Sequence, residues 1–387
     1  MRTVSGLDIH KDSIFMCILD EQGKKTEEKF GVTTREIKRL GSVMRSHFVS
    51  EVCMESTGIY WIPVWRLLEN DFQLRLVNAQ FLKQLPERKS DVKDAEWIAT
   101  VLLKELVRDS FVPDGNIQSL RQYGRRINEI NKDLVRCQQR IDMILQRCNI
   151  RLSNYVSNED SKSYRKVVDA LIKGESSSCE LVKLVHGRTI NRFSKSIIED
   201  ALEGDVKQSD RDLLEQYTQM LDLYQLQKQQ CMDSMIQKCR ELYPKAFSIL
   251  LGICGIDKLS AAIIISEIGD NMKLFATAAA LVSWAGLRPR NDESAGKIHS
   301  RKITHGNKYL RKTLIECAWG ASRNIGSVFY CRFWHLKEMK KHHNAIIVAI
   351  ARQLLTIIWT LLSKEEKFDN QYHLKKNIPS ITSIKVG

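Results

Sequence analysis

Proline is scarce, six in 387 residues, so neither a proline-rich spacer nor a long disordered tail has the composition it would need. There is no C-x-x-C pair. The ten cysteines stand singly at positions 17, 53, 137, 148, 179, 231, 239, 254, 317 and 331, with no cysteine–histidine spacing that suits zinc. A zinc-finger module and a disulfide-stapled secreted domain are thereby excluded, and the thiols read as reduced and mostly core-filling. The longest apolar run, Ile346 to Leu362, is broken by Arg352 and Gln353 and reads as a buried helix, not a membrane span. No leader-like apolar run comes before the charges at Arg2 and Asp8, so a cytoplasmic location without a membrane partner is expected. Acids are also in deficit: 60 lysines and arginines against 46 aspartates and glutamates leave a net charge of +14. Such a balance calls for a polyanionic partner and says nothing of fold.

Much of that charge is local. Ser283 to Lys341 holds thirteen lysines and arginines against four acids, a net of nine positive charges. Within it Ser294 lies between the acidic pair Asp292-Glu293 and the small, flexible Ala295-Gly296-Lys297, on what reads as a loop. A hydroxyl in such a field suits a phosphodiester better than a small neutral substrate. The candidate phosphate contacts are Arg288, Arg290, Lys297, Arg301, Lys302, Lys308 and Arg311. Ser283, in an apolar helical context, and Ser300, without the flexible flank, are weaker nucleophile candidates.

A chain of this length predicts two or three domains. Residues 1–110 predict an α/β domain with a mixed sheet. Strands over Val4–Asp8, Ser13–Leu19 and Thr26–Val32 form a meander. A helix over Thr34–His47, a strand ending at Glu55, a helix over Ile59–Glu69, a strand over Gln73–Asn78 and a helix over Asp91–Val107 follow. Asp8 and Glu55 end strands, while Asp91 and Asp94 lie three apart at a helix start and share a face. Four carboxylates converging on one sheet edge repel unless a cation neutralises them, and oxygen-only ligands select Mg²⁺ or Mn²⁺. Asp12, Asp20 and Glu51 lie in turns or away from strand ends and are set aside.

Three N-terminal blocks carry a resemblance: Gly6-Leu7-Asp8-Ile9-His10-Lys11, Glu55-Ser56-Thr57-Gly58-Ile59-Tyr60-Trp61 and Asp91-Val92-Lys93-Asp94-Ala95. Three more lie towards the C-terminus: Ala285-Gly286-Leu287-Arg288-Pro289, Glu293-Ser294-Ala295-Gly296-Lys297 and Gly306-Asn307-Lys308-Tyr309-Leu310-Arg311. Together, and in this order, they resemble the DEDD transposases of bacterial insertion sequences. The resemblance implies a RuvC-like (ribonuclease-H-like) domain in which Asp8, Glu55, Asp91 and Asp94 hold Mg²⁺ or Mn²⁺. It implies that Ser294 becomes covalently joined to a DNA phosphate during strand exchange. It further implies element-end and target DNA, an element-encoded guide RNA, and a homo-oligomer (dimer or tetramer) with composite sites in trans, in the bacterial cytosol or nucleoid.

The middle, 115–242, predicts two long helices. One carries the seam Leu120, Tyr123, Ile127, Ile130, Leu134, Cys137, Ile141, Ile144, Cys148. The other carries Leu214, Tyr217, Leu221, Tyr224, Lys228, Cys231, Met235, Lys238, Leu242, interrupted by two lysines. They suit a coiled-coil segment, paired with each other or with another subunit. Residues 245–365 predict an all-helical domain that opens on Leu250–Asp257 and an apolar helix, similar to a helix-hairpin-helix, though Asp257 replaces the usual glycine. The tail from 366 is polar. Besides recombination through Ser294, two activities fit these features: a junction nuclease using metal and water, and a nucleic-acid-binding protein without catalysis.

Overall fold

A computed structural model describes residues 2–56, 58–79, 82, 94–107, 109, 110, 112–156, 158, 161–289, 292–294, 297–300 and 303–371, with 292–294 and 297–300 described as backbone. The chain divides into two compact units, Met1–Val112 and Pro113–Gly387.

The first unit is built on a five-stranded sheet: β1 (Thr3–Ile9), β2 (Ile14–Asp20), β3 (Lys25–Phe30), β4 (Glu51–Glu55) and β5 (Gln73–Val77), in the order β3-β2-β1-β4-β5. The β1–β2–β3 meander is antiparallel, whereas β1, β4 and β5 run parallel. Asp20 shapes the β2–β3 turn by accepting from the Gln22 and Lys24 amides at 3.0 and 2.9 Å. Glu51 pairs with Arg2 at 2.8 Å. Two of the three set-aside acids, Asp20 and Glu51, thus have structural roles.

Side chains alternate across a strand, so the two faces can be assigned residue by residue. Leu7, Ile9, Val52, Met54 and Leu76 pack under α1 (Thr34–Ser46) and α2 (Trp61–Leu68). Val4, Cys53 and Val77 face the other way, against Trp97, Ile98, Val101 and Leu102 of α3 (Asp94–Leu103). Gly6 shares the face of Val4. A Cβ there would overlap the Ala95 carbonyl and the Ala99 amide and lie 3.1 Å from the Ala99 Cα, so α3 rests on the backbone of β1. Burial pushes the Cys53 thiol up to about 12, which makes it a packing group.

The second unit is mostly helical. Its long helices α4 (Gly115–Arg147) and, after α5 (Lys162–Ile172), α6 (Ser178–Val182), α7 (Gly187–Phe193) and α8 (Lys195–Ala201), α9 (Gln208–Leu242) pair with each other. They are antiparallel: Arg126 bonds Gln227 at 3.1 Å, Arg147 pairs with Asp210, and the Tyr243 hydroxyl reaches Asp114 at 3.5 Å. Each is about 50 Å long at about 1.5 Å per residue. The expected seam of α9 departs from the structure at its end. Leu242 is exposed, and Cys239 and the following Tyr243 are buried in place of Lys238 and Leu242. Past Met235 the buried face follows steps of four, as a straight helix with 3.6 residues per turn requires.

Beyond α9 come α10 (Pro244–Leu251), α11 (Lys258–Ile268), α12 (Ala278–Trp284), α13 (Lys308–Ser322), α14 (Val328–Glu338) and α15 (His343–Lys364). Among the described residues one helix, α15, is long and apolar enough to cross a membrane. It packs against α12, α13 and α14, with Ile346, Ile350, Leu354 and Ile358 fully buried. The expectation of an all-helical domain needs one correction. Between α12 and α13 lies an antiparallel hairpin, β6 (Asp292–Ser294) and β7 (Lys297–Ser300), so Ser294 belongs to a strand and not to an irregular loop. Their shortness and mostly polar composition, DES and KIHS, hide these strands, which stand on the stem below them.

Gly6→Ala is expected to lower the stability of the first unit by at least the roughly 1–3 kcal/mol typical of overpacking, because both obstructing atoms are backbone. Thermal unfolding followed by circular dichroism checks this; an unchanged midpoint would contradict the contact.

Candidate active site

The parallel pair β1–β4 places Leu7 opposite Met54, so Asp8 and Glu55 follow side by side at the strand ends. By strand alternation Asp8 shares the face of Val4 and Gly6, and Glu55 that of Cys53. That is the face covered by α3, whose first residue is Asp94. Three acids from separate elements therefore end on one side of one sheet edge. Asp8 and Asp94 line a common cavity of about 470 Å³ with Phe15, Glu27, Glu28 and Lys29; Glu55 is not among its lining residues. Asp91, the fourth acid expected here, lies outside the described residues. Among the described residues, no three His, Cys, Asp or Glu side chains are grouped closely enough to hold a metal ion. The oxygen-only donor set at Asp8, Glu55 and Asp94 nevertheless has the chemistry that hard cations take.

His10 was not singled out from sequence. Its Nε2 lies 2.9 Å from Oδ2 of Asp8, and its ring meets Phe15 edge-on at 5.9 Å. The signal was present in the spacing, since residues two apart on an extended chain point the same way. Lys29 reaches the same cavity because it stands opposite Phe15, and its ammonium lies 5.1 Å from the Phe15 ring.

In the second unit, Ser294 ends β6 and pairs with Lys297 in β7. The hairpin rises from a narrow stem. Thr304 N–H donates to the Arg288 carbonyl at 2.9 Å, Pro289 bridges Ile303, and Asn307 N–H donates to the Trp284 carbonyl at 3.0 Å. Gly286 and Gly306 touch through their backbones: a Cβ on Gly306 would lie 2.6 Å from the Gly286 Cα. Arg288 and Lys308 are exposed, while Arg311 is partly buried and donates to the Thr304 carbonyl at 3.3 Å. Arg311 is thus a stem residue as well as a candidate phosphate contact. Arg290, Arg301 and Lys302 lie outside the described residues, and for Lys297 only the backbone is described.

Beneath the stem, Glu267 is 1% exposed. Arg125 donates to both its carboxylate oxygens, at 2.5 and 3.2 Å, and Asn307 Nδ2 donates to Oε2 at 2.6 Å. Burial lowers the pKa of Arg121, which Glu267 opposes and the neighbouring Arg125 charge reinforces. Nothing in the apolar run around Glu267 marked it as important in the sequence.

The turn between α10 and α11, which in sequence is similar to a helix-hairpin-helix, joins the two helices between Gly252 and Asp257. Asp257 caps α11 by accepting from the Ser260 amide at 2.7 Å. Its carboxylate thus takes up one of the free amides at the helix start and places a negative charge there, which disfavours a phosphate.

Comparison with known proteins bears on both units. Residues 5–150 match a transposase model of the DEDD type from IS110 elements, and residues 247–330 match the model described as Transposase IS116/IS110/IS902 family. The pilin gene-inverting protein of Moraxella bovis is 33% identical over 128 residues, 33% of this chain and 39% of that protein. A probable family 20 transposase of Pseudomonas aeruginosa is 31% identical over 119 residues, 30% of this chain and 35% of its own length. These matches span well under half of either relative. The transposase for insertion sequence element IS1111A of Coxiella burnetii aligns over 94% of this chain and 91% of its own, at 23% identity. Both models are of transposases, and they match this chain in this order. This chain belongs to the IS110-type transposase family.

Asp257→Ala is expected to destabilise the second unit by about 1 kcal/mol, the usual value of a lost helix cap, while leaving DNA affinity at low salt equal or higher. Thermal unfolding and fluorescence anisotropy with a DNA duplex measure the two effects. Weaker DNA binding would restore a direct role for this turn.

Proposed function

We propose that the chain is a DNA recombinase of a bacterial insertion sequence that cuts and rejoins strands through a covalent Ser294–DNA phosphate bond. The observation that carries this reading is that Asp8 and Asp94 line one cavity, with Glu55 beside Asp8 on the same sheet face. The strand order β3-β2-β1-β4-β5, antiparallel then parallel, supports assigning the first unit to the RuvC-like class. Relatives named for inverting a pilin gene and for transposition support rejoining of strands over cleavage by water alone.

In this reading Asp8, Glu55, Asp91 and Asp94 hold Mg²⁺ or Mn²⁺. Bound there, the cation would supply Lewis-acid stabilisation of phosphoryl oxygens and acidify a bound hydroxyl. Ser294 supplies the attacking oxygen. A bond forms from that oxygen, which gives up its proton, to phosphorus as the bond to the leaving deoxyribose oxygen breaks and that oxygen takes up a proton, so the phosphodiester's energy is retained for rejoining without ATP. Arg288 and Lys308, exposed beside the hairpin stem, hold the DNA backbone, with Arg290, Lys297, Arg301, Lys302 and Arg311 as further contacts. The working assembly is a homo-oligomer on element-end and target DNA, directed by an element-encoded guide RNA.

The test is a trapping assay with the full chain, element-end DNA, guide RNA and Mg²⁺. A protein–DNA band that survives denaturation is expected in wild type and absent in Ser294→Ala. Asp8→Asn and Asp94→Asn are expected to reduce the band by about a hundredfold or more. Cleavage that persists in Ser294→Ala without a covalent band would instead make the protein a water-using nuclease. Omitting the RNA or chelating the metal with no loss of the band would remove those two parts of the reading separately. DNA affinity is expected to fall steeply with salt, and a flat dependence would contradict phosphate contacts by the basic stretch.

A further inference from the structure

One residue, Asn307, joins three parts of the second unit. Its Oδ1 accepts from the Tyr309 and Leu310 amides at 3.0 Å each and so caps α13. Its backbone N–H closes the stem of the Ser294 hairpin on the Trp284 carbonyl at 3.0 Å. Its Nδ2 donates to the buried Glu267 carboxylate at 2.6 Å. That carboxylate is clamped from the start of α4 by both nitrogens of the Arg125 fork, and Arg121 lies 3.5 Å from it. Arg121 also donates to the Ser266 and Glu267 carbonyls, at 3.0 and 2.7 Å, so the last turn of α11 is held by the same helix. The Arg125 guanidinium lies 3.3 Å from the centre of the Tyr309 ring, one further contact to the beginning of α13.

A buried ionic cluster is a poor way to gain stability, because desolvation of its charges offsets their attraction. It is directional, however: a forked guanidinium and a carboxylate meet in few geometries, and an amide donor must lie near the remaining lone pair. We propose that Glu267 and Asn307 form a positioning joint that fixes the Ser294 hairpin relative to α4 and α11. Neither residue is a reacting group; both act through the stem at Trp284–Arg288 and Ile303–Asn307. The role in DNA joining rests on the Ser294 reading above, whereas the mechanical role does not.

The test uses the full chain and an exchange of partners. Asn307→Asp keeps an oxygen to cap α13 but sets a carboxylate against Glu267. Combining it with Glu267→Gln restores one amide–carboxylate hydrogen bond with donor and acceptor interchanged. Hydrogen–deuterium exchange over residues 286–307 is the first readout. Asn307→Asp is expected to accelerate exchange there by about tenfold or more, and the double variant to return it to within about threefold of wild type. Wild-type exchange in Asn307→Asp, or no recovery in the double variant, would overturn the joint. Should Asn307→Asp not fold by circular dichroism, Asn307→Ser, which keeps a cap and removes only the amide donor, replaces it with the same expected acceleration. Unchanged exchange in that variant overturns the joint equally.

The second readout is the rate of covalent adduct formation at saturating DNA. It is expected to fall about tenfold or more in Asn307→Asp with DNA Kd unchanged, and to recover in the double variant. Faster exchange with a wild-type adduct rate would overturn the catalytic part of the proposal. If wild type forms no adduct at all, the Ser294 reading fails and the exchange measurement alone decides the joint.

Discussion

Burying one carboxylate constrains most of the second unit. Glu267 is 1% exposed, on a helix whose other buried residues are nearly all apolar, and removing such a charge from water costs several kcal/mol unless partners are supplied. They come from two directions: Arg125 with two hydrogen bonds from α4, and Asn307 with one from the start of α13. The long helical hairpin, the apolar helix α11 and the stem under Ser294 therefore share one electrostatic centre. A shift in any of them leaves part of that carboxylate without partners.

The first unit reaches a similar result by an opposite device. Where the second unit brings elements together with charge, the first does so by omitting a side chain. Gly6 lets α3 settle on the backbone of β1, and Ala95 and Ala99, one helical turn apart, keep the helix side of that contact small. Asp94 is one residue before Ala95, and Asp8 is two residues past Gly6 on the same strand face. The close approach that fixes helix on strand thus also sets the two acids at one cavity. Here, packing geometry and candidate chemistry come from the same few residues.

Much of this was legible in the sequence because its signals are periodic or positional. The meander, the parallel strands and the positions of Asp8 and Glu55 follow from apolar runs that end in a carboxylate, and that of Asp94 from its place at a helix start. The expected helices over Thr34–His47 and Ile346–Leu362 correspond closely to α1 and α15. Other features were not legible, for physical reasons. The β6–β7 hairpin has short, mostly polar strands, and the Gly286–Gly306 contact that draws its ends together joins residues far apart in sequence. Glu267 sits in an apolar helix where a lone acid has no periodic meaning, and only its long-range partners reveal it. The end of α9 departed from a seven-residue repeat because Cys239 and Tyr243 lie on the buried face of an ordinary helix. Asp91, Arg290, Arg301 and Lys302 are legible in sequence and lie outside the described residues.

The basic stretch around Ser294 looks uniform when its charges are counted, but its described residues divide between two kinds of work. Arg311 is turned inward to the Thr304 carbonyl, and Lys312 lies 4.0 Å from Glu316, so part of the positive charge serves the unit itself. Arg288 and Lys308 are exposed at opposite sides of the stem, one just before and one just after the hairpin. Asp257 adds to this division by capping α11 with its own carboxylate, which removes a helix start from competition for phosphate. Among the described residues of the stem, Arg288 and Lys308 keep their charges exposed, and Arg323, Lys337, Lys340 and Lys341 are exposed further along the chain. In the recombinase reading proposed above, the exposed charges of Arg288 and Lys308 draw a DNA backbone towards the segment that bears Ser294.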